Sequence, residues 1–161
     1  MNARLWPLLL LPFAVACGGD TPASPSPGVT PEGLVLTALV APHEILPGSE
    51  ATIVVSLTNP TPRSATLDFS SSCQLLYAVE DAAGRPAPVE GGGFACLTVL
   101  TTLTLGPGES KRVVFRWSGQ EYLYPPPRYQ DLPPGIYTFY AVLANSGVRS
   151  KPVTLRLLSR S

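Results

Sequence analysis

Between Gly33 and Leu158 the chain is a succession of short runs in which apolar and polar side chains alternate, each closed by Pro, Gly or Asn. In Ala51–Thr58, Ile53, Val55 and Leu57 fall on one side and Thr52, Ser56 and Thr58 on the other. Ala65, Leu67 and Phe69 repeat the pattern against Thr66, Asp68 and Ser70, and Val113, Phe115 and Trp117 repeat it against Arg112 and Arg116. A period of two is the signature of a strand with one face buried. Leu34–Val40 is apolar on both faces, as a strand between two layers is. Leu75–Glu80, Phe94–Leu105, Ile136–Leu143 and Val153–Leu158 complete the series. No stretch has a capped helical period. The chain's 19 prolines and 14 glycines break the runs often enough to predict an all-β, immunoglobulin-like antiparallel sandwich of about seven to nine strands.

The turns support the same architecture. Leu46-Pro47-Gly48-Ser49-Glu50 and Gly106-Pro107-Gly108-Glu109-Ser110 each precede a strand. Proline sets φ for the second place of a turn and glycine supplies a positive φ at the third. Asp81-Ala82-Ala83-Gly84 ends another strand in the same way. Pro133-Pro134-Gly135-Ile136-Tyr137 has the form of a tyrosine corner, in which a phenol hydroxyl ties a strand to preceding backbone.

Ahead of the β-patterned region, Met1–Ala16 has a basic start at Arg4 and an uncharged run from Leu5 to Ala16. That run is shorter than the roughly 20 residues of a membrane span and fits a secretory leader. Ala14-Val15-Ala16-Cys17 resembles a lipobox, so the expected organisation is a signal peptide at 1–16, then an acylated Cys17 opening a spacer over 17–32, then a β-domain over 33–159. An ordinary cleaved signal with a chance cysteine is the plainer alternative. The spacer, rich in Pro, Gly and Ser, reaches on the order of 40 Å when extended. Gly18 follows the cysteine where an Asp would signal inner-membrane retention, which points to the outer membrane in a cell that has one.

Export sorts the other cysteines. Cys73 and Cys96 are the remaining pair and are expected to form a disulfide in an oxidising compartment, with two buried thiols as the alternative. After loss of Arg4, ten Lys and Arg face eleven Asp and Glu, so nothing attracts a polyanion and nucleic acid is not an expected partner. His43 is the single histidine, and no Cys or carboxylate cluster has metal-ligand spacing. Ser70-Ser71-Ser72 lies outside any nucleophile elbow and suits a polar turn. No catalysis and no cofactor are expected.

Several landmarks in order resemble the intracellular proteinase inhibitor family, also called BsuPI-like. They are Leu57-Thr58-Asn59-Pro60, Leu67-Asp68-Phe69, Tyr77 to Gly84, Phe94, Leu105 to Ser110, Phe115-Arg116-Trp117 and Pro133 to Thr138. The resemblance spans about Val35 to Leu143 and implies an immunoglobulin-like sandwich and inhibition of a serine proteinase. The leader, the cysteine pair and the Pro/Tyr insertion before Pro133 depart from it, and an exported protein does not meet a cytoplasmic protease. No family reactive-site residue transfers to this chain.

Two segments are therefore candidate contact surfaces. One is 121–129, a proline-stiffened loop where Tyr122, Tyr124, Arg128 and Tyr129 offer large amphipathic side chains, as binding hot spots do. The other is 90–97, where Phe94, Ala95 and Leu97 would form an inhibitory loop restrained by the bridge, although Phe94 occupies a family core position. The leading expectation is a membrane-anchored, non-catalytic domain that binds an envelope or extracellular macromolecule. Inhibition of an extracytoplasmic serine proteinase is the alternative, and a spacer module without a dedicated ligand is the third.

Overall fold

A computed structural model describes residues 28–89 and 93–160. The expected signal peptide at 1–16 and the expected acylation site Cys17 lie outside the described residues. Eleven strands and no helix make up the described chain: β1 Val35–Ala41, β2 Glu44–Ile45, β3 Ala51–Thr58, β4 Ala65–Phe69, β5 Leu75–Glu80, β6 Thr101–Leu105, β7 Ser110–Trp117, β8 Gln120–Leu123, β9 Arg128–Asp131, β10 Gly135–Leu143 and β11 Val153–Leu157. One sheet has the order β1-β3-β7 and the facing sheet β2-β11-β10-β5. Within them every pairing is antiparallel except β2 with β11. Two ribbons, β4-β6 and β8-β9, complete an all-β sandwich.

The period-two runs bury the expected faces. Ile53, Val55, Leu57 and Trp117 from one sheet meet Tyr77, Val79, Phe139 and Leu155 from the other, all buried. Trp117 stands edge-on to Phe139 at 5.1 Å between centroids and tilted against Tyr137 at 5.1 Å. Burial of each aliphatic or aromatic side chain of this kind stabilises the fold by roughly 1.5–3 kcal/mol. The indole Nε1–H would be unsatisfied at that depth, and it donates to the Pro88 carbonyl at 3.1 Å. Gly48 and Gly108 adopt φ of 85° and 74°, as the Pro-Gly turns require. The tyrosine corner forms: the Tyr137 hydroxyl donates to the Pro133 carbonyl at 2.7 Å.

The β8-β9 ribbon and the short β2 add three strands to the expected series, bringing the total to eleven, close to the seven to nine expected. Three expectations change. Strand β1 buries one face only, because its sheet is covered on one side alone by the facing sheet; Leu36 and Val40 point inward while Leu39 is 56% exposed. Of the run Phe94–Leu105, only Thr101–Leu105 is strand, since the bridge at Cys96 pulls the preceding residues onto a neighbouring turn. Finally, Gly28–Glu32 is not free spacer. The Leu36 N–H donates to the Gly28 carbonyl at 2.7 Å, the Leu34 N–H donates to Thr30 Oγ1 at 3.2 Å, and Thr30 is buried.

The sandwich has two distinct ends. Residue pairs Val35↔Thr58, Thr58↔Ser110 and Leu143↔Leu75 lie at one, which also carries the 70–74 turn and Asn145. Ala41↔Thr52, Ala51↔Trp117 and Gly135↔Leu157 lie at the other. The 9 residues of β10 connect them, a span of roughly 30 Å.

Candidate functional site

The 121–129 segment is a hairpin rather than an irregular loop. Gln120↔Asp131 through Leu123↔Arg128 pair as β8 and β9, with Tyr124 to Pro127 at the tip. Its base is fixed by the Leu132 N–H donating to the Gly119 carbonyl at 2.9 Å and by Gln120 Nε2–H donating to Asp131 at 2.7 Å. Gly119 sits at φ 67°, and a Cβ there would run into Leu157, so this corner admits glycine. Arg160 adds an ion pair to Asp131 at 3.0 Å. On the hairpin, Tyr122 and Tyr129 are cross-strand partners with rings 5.4 Å apart. Tyr124 and Tyr129 remain 75% and 60% exposed, and Arg128 is exposed beside them. The four residues expected to act together therefore share one ribbon.

The second segment lies at the opposite end. After β5 the chain runs back along the flank of the sandwich: the Ala87 N–H donates to the Val79 carbonyl at 2.9 Å, and Phe94 packs on Tyr77 and Phe115 at 5.3 and 5.6 Å. Phe94 is thus a member of the aromatic cluster, as its family position implies. Cys96 is bonded to Cys73, with 5.3 Å between their Cα atoms. Ala95 is exposed and Leu97 is 71% exposed. The segment does not stop at Leu97: Val99 and Leu100 are 47% and 85% exposed. The strand expected over Phe94–Leu105 includes these two, whereas β6 begins only at Thr101. The signal was present, since apolar residues at odd positions (97, 99, 103, 105) are interrupted by Leu100 at an even one.

Other candidate chemistry disperses. His43 is exposed, with Nδ1 3.3 Å from the Thr154 carbonyl. Among the described residues no group of three His, Cys, Asp or Glu side chains gathers as a metal site would require. Ser70, Ser71 and Ser72 form the polar turn, bonded to Asn145, the Cys73 carbonyl and Leu97 respectively. Asp81 accepts from its neighbours Ala83 and Arg85, and the Arg85 guanidinium 2.7 Å away holds its carboxyl below the usual value. The Tyr137 phenol is raised by burial and, secondarily, by the charge of Asp81.

A profile of the family described as "BsuPI: Intracellular proteinase inhibitor" matches residues 41–148. The chain belongs to that family. The match covers the BsuPI domain from the end of β1 through β10, so the hairpin and the bridged segment both fall inside it. The family is one of inhibitors. No curated protein matches the chain. Among the solved structures to which the chain is similar are parts of larger proteins. A β-glucosidase from Listeria innocua is 15% identical with a TM-score of 0.46, over 77% of this chain and 16% of that one. The β-glucosidase EmGH1 from Erythrobacter marinus is 14% identical with a TM-score of 0.49, over 78% and 15%. The alkylpurine DNA glycosylase AlkC from Pseudomonas fluorescens is 15% identical with a TM-score of 0.49, over 80% and 30%. The chain spans less than a third of each, and the likeness carries no activity across.

Proposed function

We propose that the mature chain is a non-catalytic binding protein of the cell envelope, held there by a lipid on Cys17, and that its β8–β9 hairpin is the surface offered to a macromolecular partner. The observation that carries this reading is the hairpin itself, a hydrogen-bonded ribbon at one end of the sandwich with Tyr124 and Tyr129 75% and 60% exposed. Aromatic side chains on a paired backbone contribute large contact area at small entropic cost. The leader and Gly18 favour the outer membrane as the site of attachment where the cell has one.

Crosslinking in native envelopes tests the reading. The wild-type domain is expected to trap one reproducible partner, and the triple variant Tyr122→Ala, Tyr124→Ala, Tyr129→Ala to lose it without a change in melting temperature. Unchanged capture by the triple variant would exclude the hairpin. A Cys17→Ser variant is expected to lose incorporation of labelled palmitate.

A second reading, inhibition of an extracytoplasmic serine proteinase, has support from the family and from the bridged, exposed segment that ends in Leu100. Titration against serine proteinases separates the two. A domain that traps no partner and inhibits no proteinase is a spacer module.

A further inference from the structure

Residues 97–101 are fastened at both ends to a single turn. The Ser72 N–H donates to the Leu97 carbonyl at 2.9 Å, and the Leu97 N–H donates to Ser72 Oγ at 2.9 Å. Four residues on, Thr101 Oγ1–H donates to the Ser71 carbonyl at 2.7 Å and accepts from Gln74 Nε2 at 3.2 Å. The Cys73–Cys96 bond joins the same turn to the residue before Leu97. Thr98, Val99 and Leu100 form an arch of three residues standing on residues 71–74, turned at its start by the Val99 N–H, which also donates to the Leu97 carbonyl at 3.0 Å. Leu100, 85% exposed, is the most exposed large hydrophobic side chain among the described residues. The register agrees: in β6 the residues at odd positions turn inward, so position 100 turns outward.

An arch this short has little conformational entropy left to lose on binding. Serine proteinases receive substrates and inhibitors as an extended segment whose backbone groups add to the enzyme's own, with one side chain entering a primary pocket. Leu97 is unsuited to that role, because Ser72 already engages both its N–H and its carbonyl. Among the described residues no backbone hydrogen bond engages Leu100.

Resting on the second reading above, we propose that Leu100 is the side chain that enters the primary pocket of a serine proteinase, and that the pocket is apolar. Val99 flanks it on the arch, while Leu97, Thr101 and the disulfide are positioning elements. Placing the contact on Leu100 rather than on Phe94, Ala95 or Leu97 assigns a specificity class to the inhibitor as well as a location.

The test uses the full mature chain, titrated against a proteinase with an apolar primary pocket and against a trypsin-type enzyme whose pocket holds a carboxylate. The wild type is expected to inhibit the first and spare the second. Leu100→Ala is expected to weaken inhibition of the first about 30-fold, the effect of losing one hot-spot side chain. Leu100→Arg is expected to transfer inhibition to the trypsin-type enzyme, a gain that a merely structural role would not produce. Both variants change an exposed side chain, so melting temperatures should match the wild type. An inhibitory wild type with any other pattern in the two variants overturns the assignment to Leu100 while leaving the second reading in place. A wild type that inhibits neither enzyme overturns both.

Discussion

Asn59 is the residue whose replacement should be felt most widely in the fold. It is fully buried where β3 ends. Its amide nitrogen donates to the carbonyls of Arg63 and Leu105 at 2.7 and 2.8 Å, and its Oδ1 accepts from Thr61 N–H and Thr61 Oγ1–H at 3.0 and 2.7 Å. Its own backbone N–H donates to the Glu109 carbonyl, and its carbonyl accepts from Gly108. One side chain thus joins β3, the start of the β4-β6 ribbon and the Pro107-Gly108 turn. Asn59→Asp preserves the volume but replaces two donors by an oxygen facing two carbonyls. Two lost bonds, together with a buried carbonyl left unsatisfied, give a cost of about 3–5 kcal/mol. At about 3 °C per kcal/mol for a domain of this size, the melting temperature should fall by about 10–15 °C. Urea unfolding followed through the fluorescence of Trp117 measures the cost directly. The introduced carboxyl is buried among acceptors, so its folded-state pKa must lie above the unfolded value of about 4. The penalty is therefore full above the folded-state value, shrinks as pH falls from there to about 4, and levels off below, where both states are protonated and the group donates one bond again. A cost under about 1 kcal/mol, or a gap to the wild type that does not narrow in acid, would refute the assigned hydrogen bonds.

Other perturbations have simpler outcomes. Replacing Cys73 and Cys96 by Ser removes a cross-link with a sequence separation of 23 and should cost about 3 kcal/mol in the chain-entropy account, read as a shift in urea midpoint with little change elsewhere. Tyr137→Phe should cost about 1–2 kcal/mol through the lost bond to Pro133. In the wild type the folded-state phenol pKa is raised, so stability holds below the ordinary value of 10.0 and declines as pH rises beyond it; the variant should lack that alkaline decline. Asp81 has the opposite sign: its folded-state pKa is lowered, so its contribution is present above the ordinary value of 3.8 and is lost as pH falls through the folded value. Asp81→Asn should flatten the acid limb of the stability profile in chemical denaturation. Gly119→Ala should destabilise the base of the hairpin, seen as faster amide exchange at Leu132, because φ 67° and the neighbouring Leu157 leave no room for a methyl group.

Local periodicity revealed the sandwich because its causes are local. Ile53, Val55 and Leu57 alternate with polar neighbours, and Pro47-Gly48 and Pro107-Gly108 carry the dihedral demand of their turns in two residues. Tyr137 was legible for the same reason, since its acceptor Pro133 is four residues away. What escaped was set by long-range partners. The run from Phe94 to Leu105 has strand composition, yet Cys73 and Ser72 hold its first half and only the second half finds β4 as a partner. The prolines at 125–127 suggested a loop, but Gln120 and Asp131 close a ribbon around them. Asn59 stood in a family motif with no hint of its role, because Leu105 is 46 residues away. Leu100 differs: its even position among apolar residues at odd ones is a local signal, outweighed by the strand composition of the run.

The Tyr-bearing ribbon and the Leu100 arch are held apart by the full length of β10. Occupancy of one should leave the other's affinity unchanged unless the strands themselves shift. The two candidate surfaces can therefore be tested independently, since a substitution at one tip leaves the residues of the other in place.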